Sequence, residues 1–282
     1  MRIGLIGLAL AAGLVWISSR HPIDARQDPN PGTPPGQSLV VPKFQDDALR
    51  GLVTTLDQTL DRRVAAQEWA ADAAPALAAF TRSIQEGQLS PVQEDSVVRH
   101  LENVANVHQS DRAPIDGAVR TIETLTVGKV APDIVGRDLD GAPMTLSAYR
   151  SKVIVLTFSG EWCGICRSQY PYERLLLELY AKWPFAILGV NSDRDAIEAK
   201  AAYLSHGLTF PSWFDGDPSG DPRGPIATAW NVNGWPSTYV IDGRGVIRFV
   251  NLQQEDLLKG VRQLLTEEVE RASHKASGDR HQ

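Results

Sequence analysis

Apolar positions along this chain change period near its middle. From about residue 42 to 126 they recur every three or four residues, as at Leu49, Leu52, Val53, Leu56 and Leu60, the stripe of an amphipathic helix. Asp46 or Asp47 can cap that first helix. The alanine-rich stretch AAQEWAADAAPALAAFTRSIQEG follows, with Pro75 marking a helix start or kink and Gly87 an end. Ser90 and Pro91 set an N-cap and a proline at the first helical position. They open a helix through Val97, Val98, Leu101, Val104 and Val107. A short last helix covers about Ile115 to Leu125. The pattern predicts three or four helices sharing a modest core.

Beyond Gly128 the period shortens. Asp133–Arg137 and a return through Met144–Leu146, joined at Asp138–Gly141, predict a β-hairpin. Val153–Ser159 is a β-branched apolar run, hence a buried strand. A helix from about Cys163 to Trp183 follows, on a stripe through Leu175, Leu176, Leu179 and Trp183. Then come a strand at Phe185–Val190, a helix at Asp193–His206, a short strand at Phe210–Phe214 and a helical turn at Ile226–Trp230. Thr238–Ile241 and Val246–Val250 form a hairpin around Asp242–Gly245, and a helix over about Glu255–Glu270 closes the pattern. Strands alternating with helices and ending in a hairpin predict an α/β sandwich with a mixed sheet.

Composition adds limits. The 282 residues are 43% hydrophobic and 22% charged with a net charge of −6, which argues against nucleic acid and against attachment to anionic membranes by charge. The N-terminus reads as an address: Arg2, then an uncharged apolar run from Ile3 to Ile17. Fifteen residues suit a signal-peptide core and fall short of the ~20 of a membrane span. Bulky Trp16 and Ile17 fit a small-residue cleavage site poorly, so a cleaved signal peptide and a retained signal anchor over 1–19 both stand. Residues 20–41 read as a Pro/Gly-rich linker, with four prolines and two glycines between Gln27 and Gln37. The organisation that follows is a helical domain at 42–126, an α/β domain at 128–270 and a polar tail at 271–282.

Chemistry concentrates at Cys163 and Cys166, the only two cysteines. A strand delivers them to a helix start, where free backbone N–H groups and the helix dipole favour a thiolate. Two intervening residues, Gly164 and Ile165, bring the second sulfur within reach of a mixed disulfide on the first. Zinc needs four ligands, and the six histidines form no close pair; no metal site and no cofactor beyond the redox-active disulfide is expected. Asp215, Asp217, Ser219 and Asp221 alternate like calcium ligands, but Arg223 and Ile226 stand where an EF-hand needs a ligand and a bidentate Glu. A turn is the better reading.

These pieces resemble the exported TlpA/ResA-type branch of the thioredoxin fold over about 128–270. Val130–Ile134 with Asp140-Gly141 and Leu146-Ser147 is similar to its N-terminal hairpin. Phe158–Arg167 is similar to its active-site segment, Pro171 to its helix-kinking proline, and Gly234-Trp235-Pro236-Ser237-Thr238 to its cis-proline loop. The resemblance implies a thioredoxin-like three-layer fold. It makes Cys163 the exposed attacking thiolate and Cys166 the deeper resolving thiol. Trp162 becomes an apolar shelf, with Gly164, Ile165 and a cis Pro236 supporting the pair. Trp235 and Ser237 would meet an extended substrate. Thr157 stands where many thioredoxins carry a buried acid. The implied activity is an exported, periplasmic thiol-disulfide oxidoreductase that reduces protein disulfides, apocytochrome c among them, with electrons from a membrane donor protein and N-terminal anchoring open. Alternatives are a disulfide-donating oxidase, a peroxiredoxin-like peroxidase (disfavoured by Leu156 in place of the signature proline), and a redox-sensing binding module.

Overall fold

A computed structural model describes residues 39, 41, 43–66, 69–107, 112–216 and 220–278. The stretch 1–19 expected to be a signal peptide or anchor, most of the expected linker, Asp217–Ser219 and the last four residues lie outside the described residues. All described residues belong to one compact unit.

Four helices come first: α1 (Asp46–Ala66), α2 (Trp69–Gln85), α3 (Pro91–Val107) and α4 (Arg112–Thr124). Leu49, Leu56, Leu60, Leu77, Phe80, Ile84, Leu101 and Ile122 from all four meet in one buried cluster. Pro75 lies inside α2 rather than at its start. Ser90 and Gln93 cap α3 reciprocally: the Gln93 N–H donates to Ser90 Oγ (3.3 Å) and the Ser90 N–H to Gln93 Oε1 (2.9 Å). His100 is spoken for by Asp57, 2.7 Å away.

The second half pairs β1 (Val135–Arg137) with β2 (Pro143–Thr145) in a small hairpin, then builds a five-stranded sheet. Its strands are β3 (Val153–Ser159), β4 (Phe185–Asn191), β5 (Ser212–Phe214), β6 (Ser237–Ile241) and β7 (Ile247–Val250). The order is β5-β4-β3-β6-β7, parallel from β5 to β3 and antiparallel across β6 and β7. Helices α5 (Gly164–Leu179), α6 (Ala196–Ser205), α7 (Pro225–Ala229) and α8 (Gln254–Gly278) complete a thioredoxin-like α/β fold. One sheet face, with Leu156, Phe158, Val190 and Tyr239, packs on Trp213 and Trp230. The other, with Val153, Val155, Ile187 and Val240, packs on Leu176, Leu257 and Val261 of α5 and α8.

Three expectations need revising. The cysteine helix ends at Leu179, not Trp183, because Pro184 disfavours helical backbone at the residue before it. Its inward face is Cys166, Gln169, Tyr170, Glu173 and Leu176, a half-polar stripe displaced from the predicted leucines. The last helix runs through Arg271 to Gly278, into the stretch set apart as a tail. At the linker's end, Leu39 and Val41 pack against the cluster beneath α5 and α8.

The helical layer is tied to the α/β layer by polar contacts. Gln85 Nε2 donates to Tyr239 Oη (3.0 Å), Asn231 Nδ2 donates to Thr121 Oγ1 (2.8 Å), and Lys129 pairs with Glu94 (2.6 Å).

Candidate functional site

β3 carries the chain through the middle of the sheet to Ser159, and four residues later Cys163 caps α5. Its backbone is extended (φ −89°, ψ 104°) and its Sγ accepts the N–H of Cys166 at 3.1 Å. The two cysteines are joined as a disulfide, their Cα atoms 5.2 Å apart. Once that bond opens, the sulfur at the cap faces the positive end of a sixteen-residue helix, which favours its thiolate. Cys163 is not exposed as expected: it is 7% accessible against 1% for Cys166. The order of depth holds, but the attacking sulfur lies in a shallow recess.

Two tryptophans flank the pair. Trp162 and Trp235 meet edge to face, ring centroids 5.6 Å apart. Both indoles are fastened to one residue just after β4: Trp162 Nε1 donates to the Ser192 carbonyl (3.2 Å) and Trp235 Nε1 to Ser192 Oγ (3.0 Å). Next in sequence, buried Asp193 accepts the Glu161 N–H (2.8 Å) and the Asn191 side-chain amide (2.7 Å). Gly160 makes that closeness possible, since a Cβ there would strike the Trp162 indole and come within 3.1 Å of Asp193 Oδ1. The Trp235-Pro236 bond is cis. Ser237 spends its hydroxyl inside that loop, donating to the Gly234 carbonyl (2.8 Å).

Gly164 and Ile165 differ in what they contribute. A side chain at Gly164 would meet little, so nothing in the fold demands glycine there. Ile165 is exposed beside Trp162, at 61% and 52%, giving the rim an apolar surface. Glu161 is more than a lone surface charge: its carboxylate lies 3.1 Å from His206 Nε2, and Arg167 donates to its carbonyl. A cleft of about 640 Å³ adjoins Trp162, lined also by Glu161, Ser192, Asp193, Arg194 and Glu198. Among the described residues no group of three or more metal-ligating side chains converges.

The structure thus brings Trp162, Cys163, Gly164, Ile165, Cys166 and the loop of Trp235, Pro236 and Ser237 to one end of the sheet. It adds Asn191, Ser192 and Asp193, which the sequence reading passed over. Their signal was there: three polar residues at the carboxyl end of a buried parallel strand, where α/β sheets place their sites.

Comparisons with known proteins converge on this half of the chain. The Redoxin family profile matches residues 126–265. The thiol-disulfide oxidoreductase ResA of Geobacillus kaustophilus is 33% identical over 136 residues, 47% of this chain and 75% of that protein. ResA of Bacillus cereus is 28% identical over 146 residues, 51% of this chain and 81% of that protein. Among solved structures, the thioredoxin domain of a thiol-disulfide oxidoreductase from Bacteroides vulgatus is similar at 25% identity and a TM-score of 0.45, covering 50% of this chain and 99% of that one.

Proposed function

Since this chain belongs to the ResA-type thiol-disulfide oxidoreductases, we propose that it is the exported, reducing kind, acting on protein disulfides outside the cytoplasm. Cys163 attacks the substrate disulfide as a thiolate and Cys166 then attacks the resulting mixed disulfide. The protein is left oxidised and the substrate reduced. A membrane protein returns the electrons. The observation that carries this reading is the Cys163–Cys166 disulfide at the start of α5, rimmed by exposed Trp162 and Ile165. An apolar rim around a recessed sulfur suits an extended protein chain. Pro236, Trp235 and the cleft beside Trp162 would form the wall it lies along. Export rests on the apolar run from Ile3 to Ile17. No described helix is long and apolar enough to cross a membrane.

The test is the reduction potential of the couple, measured on the full chain equilibrated with dithiothreitol or glutathione. A value near the thioredoxin end, about −270 mV, is expected. One near about −120 mV would make the protein a disulfide donor instead.

A further inference from the structure

The helical layer meets the α/β layer at the loop leading to Pro236. From α4, the Gly117 carbonyl and the Thr121 hydroxyl accept hydrogen bonds from Asn231 Nδ2 at 3.2 and 2.8 Å. The approach is close, since a Cβ on Gly117 would come within 3.0 Å of Asn231 Oδ1. Asn233 Nδ2 donates back to the Asn231 carbonyl (2.8 Å), and Ser237 Oγ donates to that of Gly234 (2.8 Å). The loop is thus held both from within and by α4.

From α2 the contact is a charge. A Cβ on Gly234 would come within 2.8 Å of Arg82 Nη2, so the guanidinium lies against the loop, next to Trp235 in the chain. The helix turn that carries it is clamped. Thr81 and Ile84 on either side are buried, and Gln85 Nε2 donates to Tyr239 Oη of β6 (3.0 Å). Arg82 itself is exposed, and among the described residues its guanidinium has no hydrogen-bonded or carboxylate partner. Arg167 and Arg174, by contrast, spend theirs on the carbonyls of Glu161 and His206. A cation in the last turn of α2 suits the helix dipole, but the dipole does not account for a head group placed on Gly234.

We propose that Arg82 is a specificity-determining residue, whose guanidinium binds a carboxylate side chain that the substrate carries close to its reacting cysteine. The inference rests on the thiol-exchange reading and not on its direction. A guanidinium is matched to that partner: it stays charged, and its planar fork offers two parallel N–H donors to one carboxylate. A head group carried by a clamped helix turn is also placed more firmly than one on a free loop. Arg82 lies outside residues 126–265, which the Redoxin profile covers, so the helical layer supplies the selectivity and the α/β layer the chemistry.

Charge elsewhere on the rim has the other sign. Trp235 packs on Trp162, and the cleft beside Trp162 is lined by the carboxylates of Glu161, Asp193, Glu198 and Asp221, with Arg194 as their counter-charge. In order of contact the rim therefore runs from Arg82 through Gly234, Trp235 and Trp162 to an acidic cleft. A substrate chain lying along it settles its acidic residue at Arg82 and is repelled from the cleft when that residue lies on the other side of its cysteine. The ion pair orients the chain as well as holding it.

The experiment mixes the full chain with short disulfide-bridged peptides, and in the reverse direction with their dithiols. The peptides differ only in whether glutamate, glutamine or lysine stands at one position flanking a cysteine, and that position is walked along both sides. The readout is the ratio of exchange rates within each set. At one position glutamate should exchange about fivefold faster than glutamine, the size of a well-placed exposed ion pair. That advantage should shrink at high salt. Arg82→Gln should bring the ratio to one, Arg82→Lys should restore part of it, and Arg82→Glu should pass the preference to lysine. A wild type that exchanges with a small aromatic disulfide but shows no glutamate preference overturns the proposal, as does an Arg82→Gln protein that keeps the preference. A wild type that exchanges with neither the peptides nor the aromatic disulfide sinks the exchange reading instead. The wild-type peptide series and its salt dependence decide even if a variant does not fold.

Discussion

Desolvation makes stability depend on pH, and Glu173 shows how. Its pKa is raised from 4.5 to about 8, chiefly by burial, so folding binds a proton between those values. Stability is complete below the unfolded pKa, falls as pH rises through this window, and levels off above about 8. Glu173→Gln should flatten that slope and make the protein more stable than wild type at pH 8.5, by on the order of 2–4 kcal/mol. Thermal unfolding at pH 5 and pH 8.5 checks it; equal slopes in both proteins would show that the carboxyl is not desolvated. Sequence reading could not single out Glu173. Between Tyr172 and Arg174 it resembles any polar helix position, and only docking of α5 turns it inward. Cys163 and Cys166 were legible in their local spacing, and Pro236 only through the resemblance of its loop to a family motif.

At the scale of elements, the loop from Asp215 shows how a pattern can point to the wrong chemistry. Its alternating acids suggest a cation site, yet Asp215 spends its carboxylate on α7, accepting the N–H groups of Ile226 and Ala227 at 2.7 Å each. Burial pushes its pKa up and those two bonds pull it back. A five-residue helix has little stability of its own, so this cap positions α7 and, after it, the cis-proline loop. Asp215→Ala should cost about 1–3 kcal/mol in urea unfolding by leaving a buried and a part-buried donor unpaired. No loss of stability would mean that the loop holds α7 by other means. Asp215 lies ten positions before the first residue of the helix it serves, and no local capping rule reaches that far. By contrast, Asp195 caps α6 locally, accepting from Ile197 and Glu198 (2.8 and 2.9 Å), although that helix was expected to begin at Asp193.

Taken whole, the described chain is one compact unit in which the helical layer leans on the α/β layer through Gln85, Asn231 and Lys129. Asn231 lies five residues before Pro236, so α4 touches the chain that leads to the cis-proline loop. Calorimetry should show one unfolding transition, with calorimetric and van't Hoff enthalpies in agreement; two resolved transitions would make the helical layer an independently folding domain. Local sequence pattern alone determined the presence and order of the helices, the limits of β3, the mixed α/β class and the cysteine pair, because each depends on neighbours within a turn or a strand of sequence. Tertiary structure alone decided the recess over Cys163, the hold of Ser192 on both tryptophans and the burial of Glu173. Those depend on which faces meet across layers, and burial, which sets both hydrogen-bond demand and proton affinity, belongs to the meeting of faces and not to the order of residues.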